Sequence, residues 1–280
     1  MEALAARRCL AVLSLAALCC CAPQARQVRL EIPGGRIAAL TGGHGSPAVV
    51  FDSGLGDPMI VWSEVLPPLA PETTVFAWDR PGLGRSSSGA LPRTSERIVA
   101  EMREALRTAG IPPPYVLVGH SFGGMTALLF ARLYPDEVSG LVLVEATHPR
   151  FRAEEERLRP REGMAALRRR FAALGPTAEN EFDAVPESAA QIAAAPPLPP
   201  IPLIVVTAAR HSDPVPELAR IWQVLQKDLA AQSPKGRQVF AANSDHSVMY
   251  DDPGVVIGAV RELLAAARRQ DAPQGSVNPS

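Results

Sequence analysis

The sequence predicts an α/β fold with a mostly parallel sheet flanked by helices on both faces. Three observations carry this reading. Short apolar runs alternate with segments of helical period along most of the chain. The runs are apolar at nearly every position, as strands buried on both faces require. The chain has 280 residues, 47% of them hydrophobic, which is ample for one large core.

The elements follow in order. Arg7-Arg8, the apolar run Cys9 to Leu18 and the small residues after it have the layout of a secretory signal. Residues 1–25 are therefore expected to be a secretory or lipoprotein signal segment, and residues 26–280 the folded domain. All four cysteines, Cys9, Cys19, Cys20 and Cys21, fall in that segment. Export to the periplasm, the medium or the cell envelope is expected. Membrane anchoring through a lipidated N-terminal cysteine stays open, because Leu18-Cys19-Cys20-Cys21 matches a lipidation box only loosely. A mature chain without cysteines needs no disulfide framework.

Val28 to Ile32 and Arg36 to Leu40, joined by Pro33-Gly34-Gly35, read as a hairpin. Ala48 to Phe51 is a buried strand ending at Asp52-Ser53-Gly54-Leu55-Gly56. Ile60 to Leu69 fits a short helix stopped by prolines. Thr74 to Trp78 is a strand followed by the loop Asp79 to Ser86. Thr94 caps a helix whose Ile98, Met102, Ala105 and Leu106 share one face. Tyr115 to Val118 is a strand, followed by Gly119-His120-Ser121-Phe122-Gly123-Gly124 and a helix to about Tyr134. Leu141 to Val144 is an apolar strand closed by Glu145. From about 146 to 200 arginine, alanine and proline dominate and no strand is apparent, which reads as a helical cap insertion. The strand pattern resumes at Leu203 to Thr207, and a helix spans about Glu217 to Ala231. A strand at Gln238 to Ala241 and a helix at Pro253 to Ala267 complete the pattern, before a frayed tail from Asp271.

Gly119-His120-Ser121-Phe122-Gly123 fits Gly-x-Ser-x-Gly, and its place between a buried strand and a helix is what a nucleophile elbow requires. Bulky residues two before and two after the serine would collide in so sharp a turn. With the Asp79 to Ser86 loop, this motif resembles the α/β-hydrolase family, and the resemblance runs over nearly all of residues 28–268. Asp52-Ser53-Gly54-Leu55-Gly56 lies where that family usually has a His-Gly oxyanion loop, with Ser53 in place of the histidine.

The resemblance implies a Ser-acid-His triad in that chain order. Ser121 is the implied nucleophile. His246, after the last strand, stands at the family's base position. His44 and His120 precede the serine, and His120 is expected to point away from it. His148 and His211 lie in loops and stay open. The acid is Glu145 or Asp213. Asp213 follows the strand where most relatives carry the acid. Glu145 matches the spacing of relatives such as haloalkane dehalogenases, and a carboxylate ending a buried strand needs a partner. The balance tips slightly to Glu145. The oxyanion hole is expected from the backbone N–H groups of Phe122 and Leu55.

The reading is a serine hydrolase acting on carboxylic esters through an acyl-enzyme. An aminopeptidase or amidase with the same triad is the enzymatic alternative, and a non-catalytic ligand-binding member of the fold is the other. A serine nucleophile argues against epoxide hydrolysis and haloalkane dehalogenation, which use aspartate in this fold. No cofactor is expected, since no phosphate loop follows a strand. For metals, His211-x-Asp213 and Asp245-His246 look like pairs without a third clustered ligand. A net charge of −1 gives no reason to expect nucleic acid as a partner. Arg157, Arg159, Arg161, Arg168, Arg169 and Arg170 make the insertion locally basic. A solvated helix face is the main reading, and attraction to an anionic substrate or membrane surface the other. The oligomeric state and the acyl and alcohol parts of the substrate are not legible.

Overall fold

A computed structural model describes residues 25–211 and 213–271. The expected signal segment as far as residue 24, with the four cysteines, and the tail after Asp271 lie outside the described residues.

Eight strands form one sheet: β1 (Arg26–Ile32), β2 (Gly35–Gly42), β3 (Ala48–Asp52), β4 (Val75–Trp78), β5 (Tyr115–His120), β6 (Val138–Val144), β7 (Leu203–Ala208) and β8 (Gly236–Ala241). Their spatial order is β1-β2-β4-β3-β5-β6-β7-β8. The β1–β2 hairpin and the β2–β4 pair are antiparallel, and every pair from β4 to β8 is parallel. Nine α-helices are described: α1 (Ser95–Thr108), α2 (Phe122–Leu133), α3 (Phe151–Leu158), α4 (Arg161–Ala172), α5 (Pro176–Asp183), α6 (Val185–Ala194), α7 (Pro216–Ala231), α8 (Val248–Asp251) and α9 (Pro253–Asp271).

The central strands show why continuous apolar runs fold this way. Successive side chains of a strand face opposite sides of the sheet. Leu117 of β5, Leu141 and Leu143 of β6 and Val205 of β7 pack in one core with Met102 of α1 and Leu128 of α2. Their sequence neighbours Val116, Val142, Val144 and Ile204 pack in a second core with Val260 and Leu264 of α9. Both faces are therefore dry, and both alternating sets must be apolar.

The helix expected over Ile60 to Leu69 is replaced by a 3₁₀ turn at Met59–Trp62 followed by further turns. Pro67 and Pro68 lack the amide hydrogens an α-helix would need there. The Met59 N–H instead donates to Asp79 Oδ1 at 2.7 Å, tying this segment to the loop after β4.

Helices α3 to α6, all between β6 and β7, form the cap. It packs on the core through Val185 and Ile192 of α6, and it also has a buried polar tie to the loops at the sheet edge. Arg80, 1% exposed, donates from Nε and Nη2 to Glu181 of α5 at 2.8 and 3.0 Å, and from Nη1 to Asp52 at 3.0 Å. No helix among the described residues is long and apolar enough to cross a membrane.

Candidate active site

Loops leaving the carboxyl ends of β3, β5, β6, β7 and β8 bring the candidate residues together. Ser121 follows β5 directly, with φ at 50° and ψ at −118°, a conformation rarely adopted by a residue with a side chain. The strain is held by backbone bonds on three sides. Ser121 N–H donates to Val144 O at 3.1 Å, while Gly124 and Thr147 N–H donate to Ser121 O at 2.9 and 3.0 Å. The glycines are sterically required: a Cβ on Gly119 would lie 2.4 Å from Gly123 O, and one on Gly123 would lie 2.4 Å from the carbonyls of both Asp52 and Ser53.

Glu145 is the second non-glycine residue with positive φ among the described residues, at 43°. Its N–H donates to Val206 O at 2.8 Å. The side chain is fully buried yet well supplied with donors. Oε1 accepts from Ala208 N–H at 2.8 Å. Oε2 accepts from Trp222 Nε1 at 2.9 Å, and faces His211 Nδ1 at 3.2 Å and His246 Nδ1 at 3.3 Å. Burial pushes its pKa up, but hydrogen bonds from His211 and His246 outweigh burial and hold the carboxyl below its usual range. It is an ionised carboxylate under the imidazole.

Asp213 sits elsewhere. It accepts from Arg159 Nη2 at 2.6 Å and from Val215 N–H at 2.7 Å, and makes no hydrogen bond to His246 among the described residues. His246 itself is held from below. His120, buried beside it, donates from Nε2 to His246 O at 3.0 Å, and the ring centroids are 4.8 Å apart. A carbonyl only accepts, so Nε2 carries the His120 proton. Burial lowers the His120 pKa to about 3, keeping the ring neutral. His120 thus turns towards the His246 loop. His148 bonds Asp228 at 2.9 Å, and His44 is exposed.

His211, left open by the sequence, stacks on Trp222 with centroids 4.7 Å apart and planes at 9°. With Glu145 and His246 it forms a cluster whose ligand-capable atoms lie within 4.8 Å of one another. This corrects the expectation that no third potential ligand gathers there. The third member comes from the end of β6, far along the chain. The cluster is already satisfied internally, because Glu145 Oε2 takes the Trp222 N–H and faces both imidazoles. These contacts favour a supported acid over a metal cage.

The oxyanion candidates share the same cavity. Phe122 opens α2, and its N–H donates to nothing among the described residues, as expected of a first-turn amide. The Leu55 N–H is equally unengaged. Its orientation has a cause: Arg80 Nη2 holds the Gly54 carbonyl at 2.6 Å, and a planar trans peptide points its N–H opposite to its C=O. Gly56 N–H donates to Glu181 Oε2 at 2.8 Å, so the cap fixes the other side of this loop. Ser53 accepts the Trp62 indole N–H at 3.1 Å, anchoring the loop in the core.

Ser121, Phe122, Leu55 and His246 line a cavity of about 350 Å³ roofed by cap residues. Ser121 Oγ lies 3.5 Å from Thr147 Oγ1, and no hydrogen bond joins it to His246 among the described residues. Arg80, Trp222, Thr147 and Glu181 were missed by sequence reasoning. Each acts through partners distant in the chain, and although Arg80 stands in the Asp79 to Ser86 loop, nothing local to it marks its partners.

The family described as alpha/beta hydrolase fold matches residues 47–182. The protein YqjL of Bacillus subtilis (strain 168) is 26% identical over 231 residues, covering 82% of this chain and 88% of that one. Among solved structures, an enol-lactonase from Burkholderia xenovorans LB400 superposes with a TM-score of 0.63 at 19% identity, over 85% of this chain and 100% of its own. The epoxide hydrolase CorEH gives 0.64 at 19% identity, over 87% and 99%. At such identities the likeness shows the fold, which hosts more than one reaction.

Proposed function

Since the chain is an α/β-hydrolase-fold protein, we propose that it is a serine hydrolase cleaving carboxylic esters through an acyl-enzyme. The observation that carries this reading is Ser121 on a strained elbow, sharing one cavity with His246, whose Nδ1 faces the buried Glu145 carboxylate. Epoxide opening in this fold needs an aspartate nucleophile, and a serine stands on the elbow here.

The chemistry follows from these positions. The carboxylate accepts the Nδ1 proton of His246, which leaves Nε2 as the basic nitrogen. Nε2 removes the Ser121 proton as Oγ attacks the ester carbonyl. Negative charge then develops on the carbonyl oxygen, where the Phe122 and Leu55 N–H groups donate. The imidazolium returns its proton to the departing alcohol. Water, deprotonated by the same nitrogen, cleaves the acyl-enzyme. The Ser121–His246 bond closes when substrate expels water from the cavity; such bonds are often long in empty sites.

A fluorophosphonate probe should label the wild type at Ser121, and Ser121→Ala should block labelling. It should also lower ester turnover by several powers of ten, on the order of triad deletions elsewhere, with an unchanged melting curve. Wild-type turnover in purified Ser121→Ala would sink the reading.

A further inference from the structure

The arginines of the cap fall into two groups. Arg157 and Arg168 are exposed and paired with acids of the cap itself: Arg157 with Glu154, Arg168 with Glu179 and Asp183. Those are solvated helix faces. Arg152, Arg159 and Arg170 instead line the cavity that holds Ser121.

Arg152 is the unusual member. It is only 8% exposed, and its guanidinium carbon stands over Phe182, 3.9 Å from the ring centroid. A guanidinium carries five N–H donors. Among the described residues, its one hydrogen bond is a weak one, from Nη2 to Phe182 O at 3.4 Å. Its Nε is buried without a hydrogen-bond partner and makes an ion pair with Glu155 Oε2 at 3.5 Å, too long for a hydrogen bond of good strength. Burial pulls its pKa down, against the pull of the nearby Glu155, Glu156 and Asp183 carboxylates.

The carboxylates facing the cavity do not make up the deficit. Besides the triad-like Glu145, which has its own donors, they are Glu155 and Asp213. Arg159 engages both, at 3.3 and 2.6 Å. Burial also raises the pKa of Glu155, weakening its hold as an anion. Arg170, exposed at the cavity mouth, has no carboxylate within ion-pair distance among the described residues. Three guanidinium groups thus line the cavity with two carboxylates, and Arg152, buried and short of hydrogen bonds, is the one placed over an aromatic ring.

We propose that the cavity takes small esters carrying an anionic oxyacid group, a carboxylate or phosphate, bound on the cap side by Arg152 with Arg170 at the entrance. This rests on the serine-hydrolase reading and names the substrate class for it. A cavity of about 350 Å³ is near the lower end for ligand clefts and suits a small ester. A planar guanidinium with free donors suits bidentate oxyanion recognition.

An isosteric series tests it: monomethyl glutarate, methyl pentanoate, methyl 4-phosphonobutanoate and methyl 4-(trimethylammonio)butanoate. The anionic esters should exceed methyl pentanoate in kcat/KM by about tenfold or more, as a charge-assisted bond allows, and the cationic ester should be poorest. The carboxylate and phosphonate arms tell the two anion sources apart. Arg152→Gln should lower the anionic-to-neutral ratio by roughly tenfold, and Arg170→Gln, at an exposed position that leaves folding intact, by a smaller factor. A wild type that prefers the neutral or cationic ester, or a ratio unmoved by either substitution, overturns the proposal. Calorimetric titration of glutarate into Ser121→Ala, with and without Arg152→Gln, reads the subsite without turnover. Binding weakened by Arg152→Gln supports it, and absent or unaltered binding overturns it. Failure of the hydrolase reading would show separately, as a wild type unlabelled by fluorophosphonate.

Discussion

Strands β3, β5 and β7 are buried at every position, whereas α4 of the cap has no buried residue at all. The two regions meet at one cavity but are held together by different physics. The sheet is fastened by apolar side chains on both faces, a non-directional force that tolerates local change in shape. The cap shares part of that core through Val185 and Ile192 of α6, but its ties to the loops of the candidate site are directional, chiefly Arg80 with Glu181 and Gly56 N–H with the same carboxylate. Non-directional burial gives a rigid edge on which strained residues such as Ser121 and Glu145 can be held. Directional ionic contacts position a roof in one arrangement and lose that arrangement when one partner goes.

The largest effect should come from the ionic side of this contrast. Glu181→Gln removes the charge and one acceptor site from a carboxylate that receives three hydrogen bonds. Breaking a buried ion pair costs on the order of 3–5 kcal/mol, and Asp52, still paired with Arg80, keeps the expectation near about 3. A denaturant midpoint like that of the wild type would show that the cap does not depend on this pair. Turnover should fall as well, because Gly56 and the neighbouring Leu55 amide lose their support.

The rigid edge is probed next. Glu145→Gln should lower turnover at least about a hundredfold, equivalent to about 2.7 kcal/mol of barrier, while Asp213→Asn has a mild effect. Gln presents an NH₂ to a pocket filled with donors, so a thermal melt accompanies the assay. A folded, inactive variant supports the acid role. Equal mild losses in both variants would mean that neither carboxylate alone orients His246.

The smallest effect, taken per unit of pH, concerns His120. His120 has a folded pKa of about 3 against an ordinary value of 6.5. Below 6.5 the unfolded chain binds a proton that the folded chain refuses, so this residue's contribution to stability falls as pH drops from about 6.5 towards 3. The slope is about 1.4 kcal/mol per pH unit. Denaturant titrations at pH 7, 6, 5 and 4 should show it, and His120→Asn should flatten the curve by that amount. An unchanged slope would mean that the ring titrates normally in the folded state.

How much was legible follows the same division. The dry strands announce themselves because both faces must be apolar, and Val116 to Val118 or Leu141 to Val144 could hardly be anything else. The edge strand β8 is half wet, and only its end from Gln238 was read. The elbow was legible because sterics force glycine at 119 and 123. Glu145 could be favoured only slightly over Asp213, since the choice turned on whether each carboxylate found a partner. Asp213 found Arg159, 54 positions away, through the path of the cap. Arg80 and Glu181 are 101 positions apart, and nothing local to either hints at the other. The buried Arg152 escaped the sequence for the same reason: of the six arginines that make the insertion visibly basic, Arg157, Arg161, Arg168, Arg169 and Arg170 are exposed and Arg159 is half-buried, and Arg152 is not among them.

Glu181 bears on how freely such a cap could be exchanged. A roof joined only by apolar contact could be replaced by another of similar outline, and the chemistry beneath would persist. Here the roof supplies the acceptor for Gly56 N–H and the counter-charge for Arg80, which in turn holds the Ser53 and Gly54 carbonyls. A transplanted cap without a carboxylate at that point would leave the arginine poorly matched and the loop free to rotate its amides. Modularity in this chain is therefore limited at that residue: any recombination of cap and sheet has to carry the α5 glutamate across the join, whatever else it alters for substrate choice.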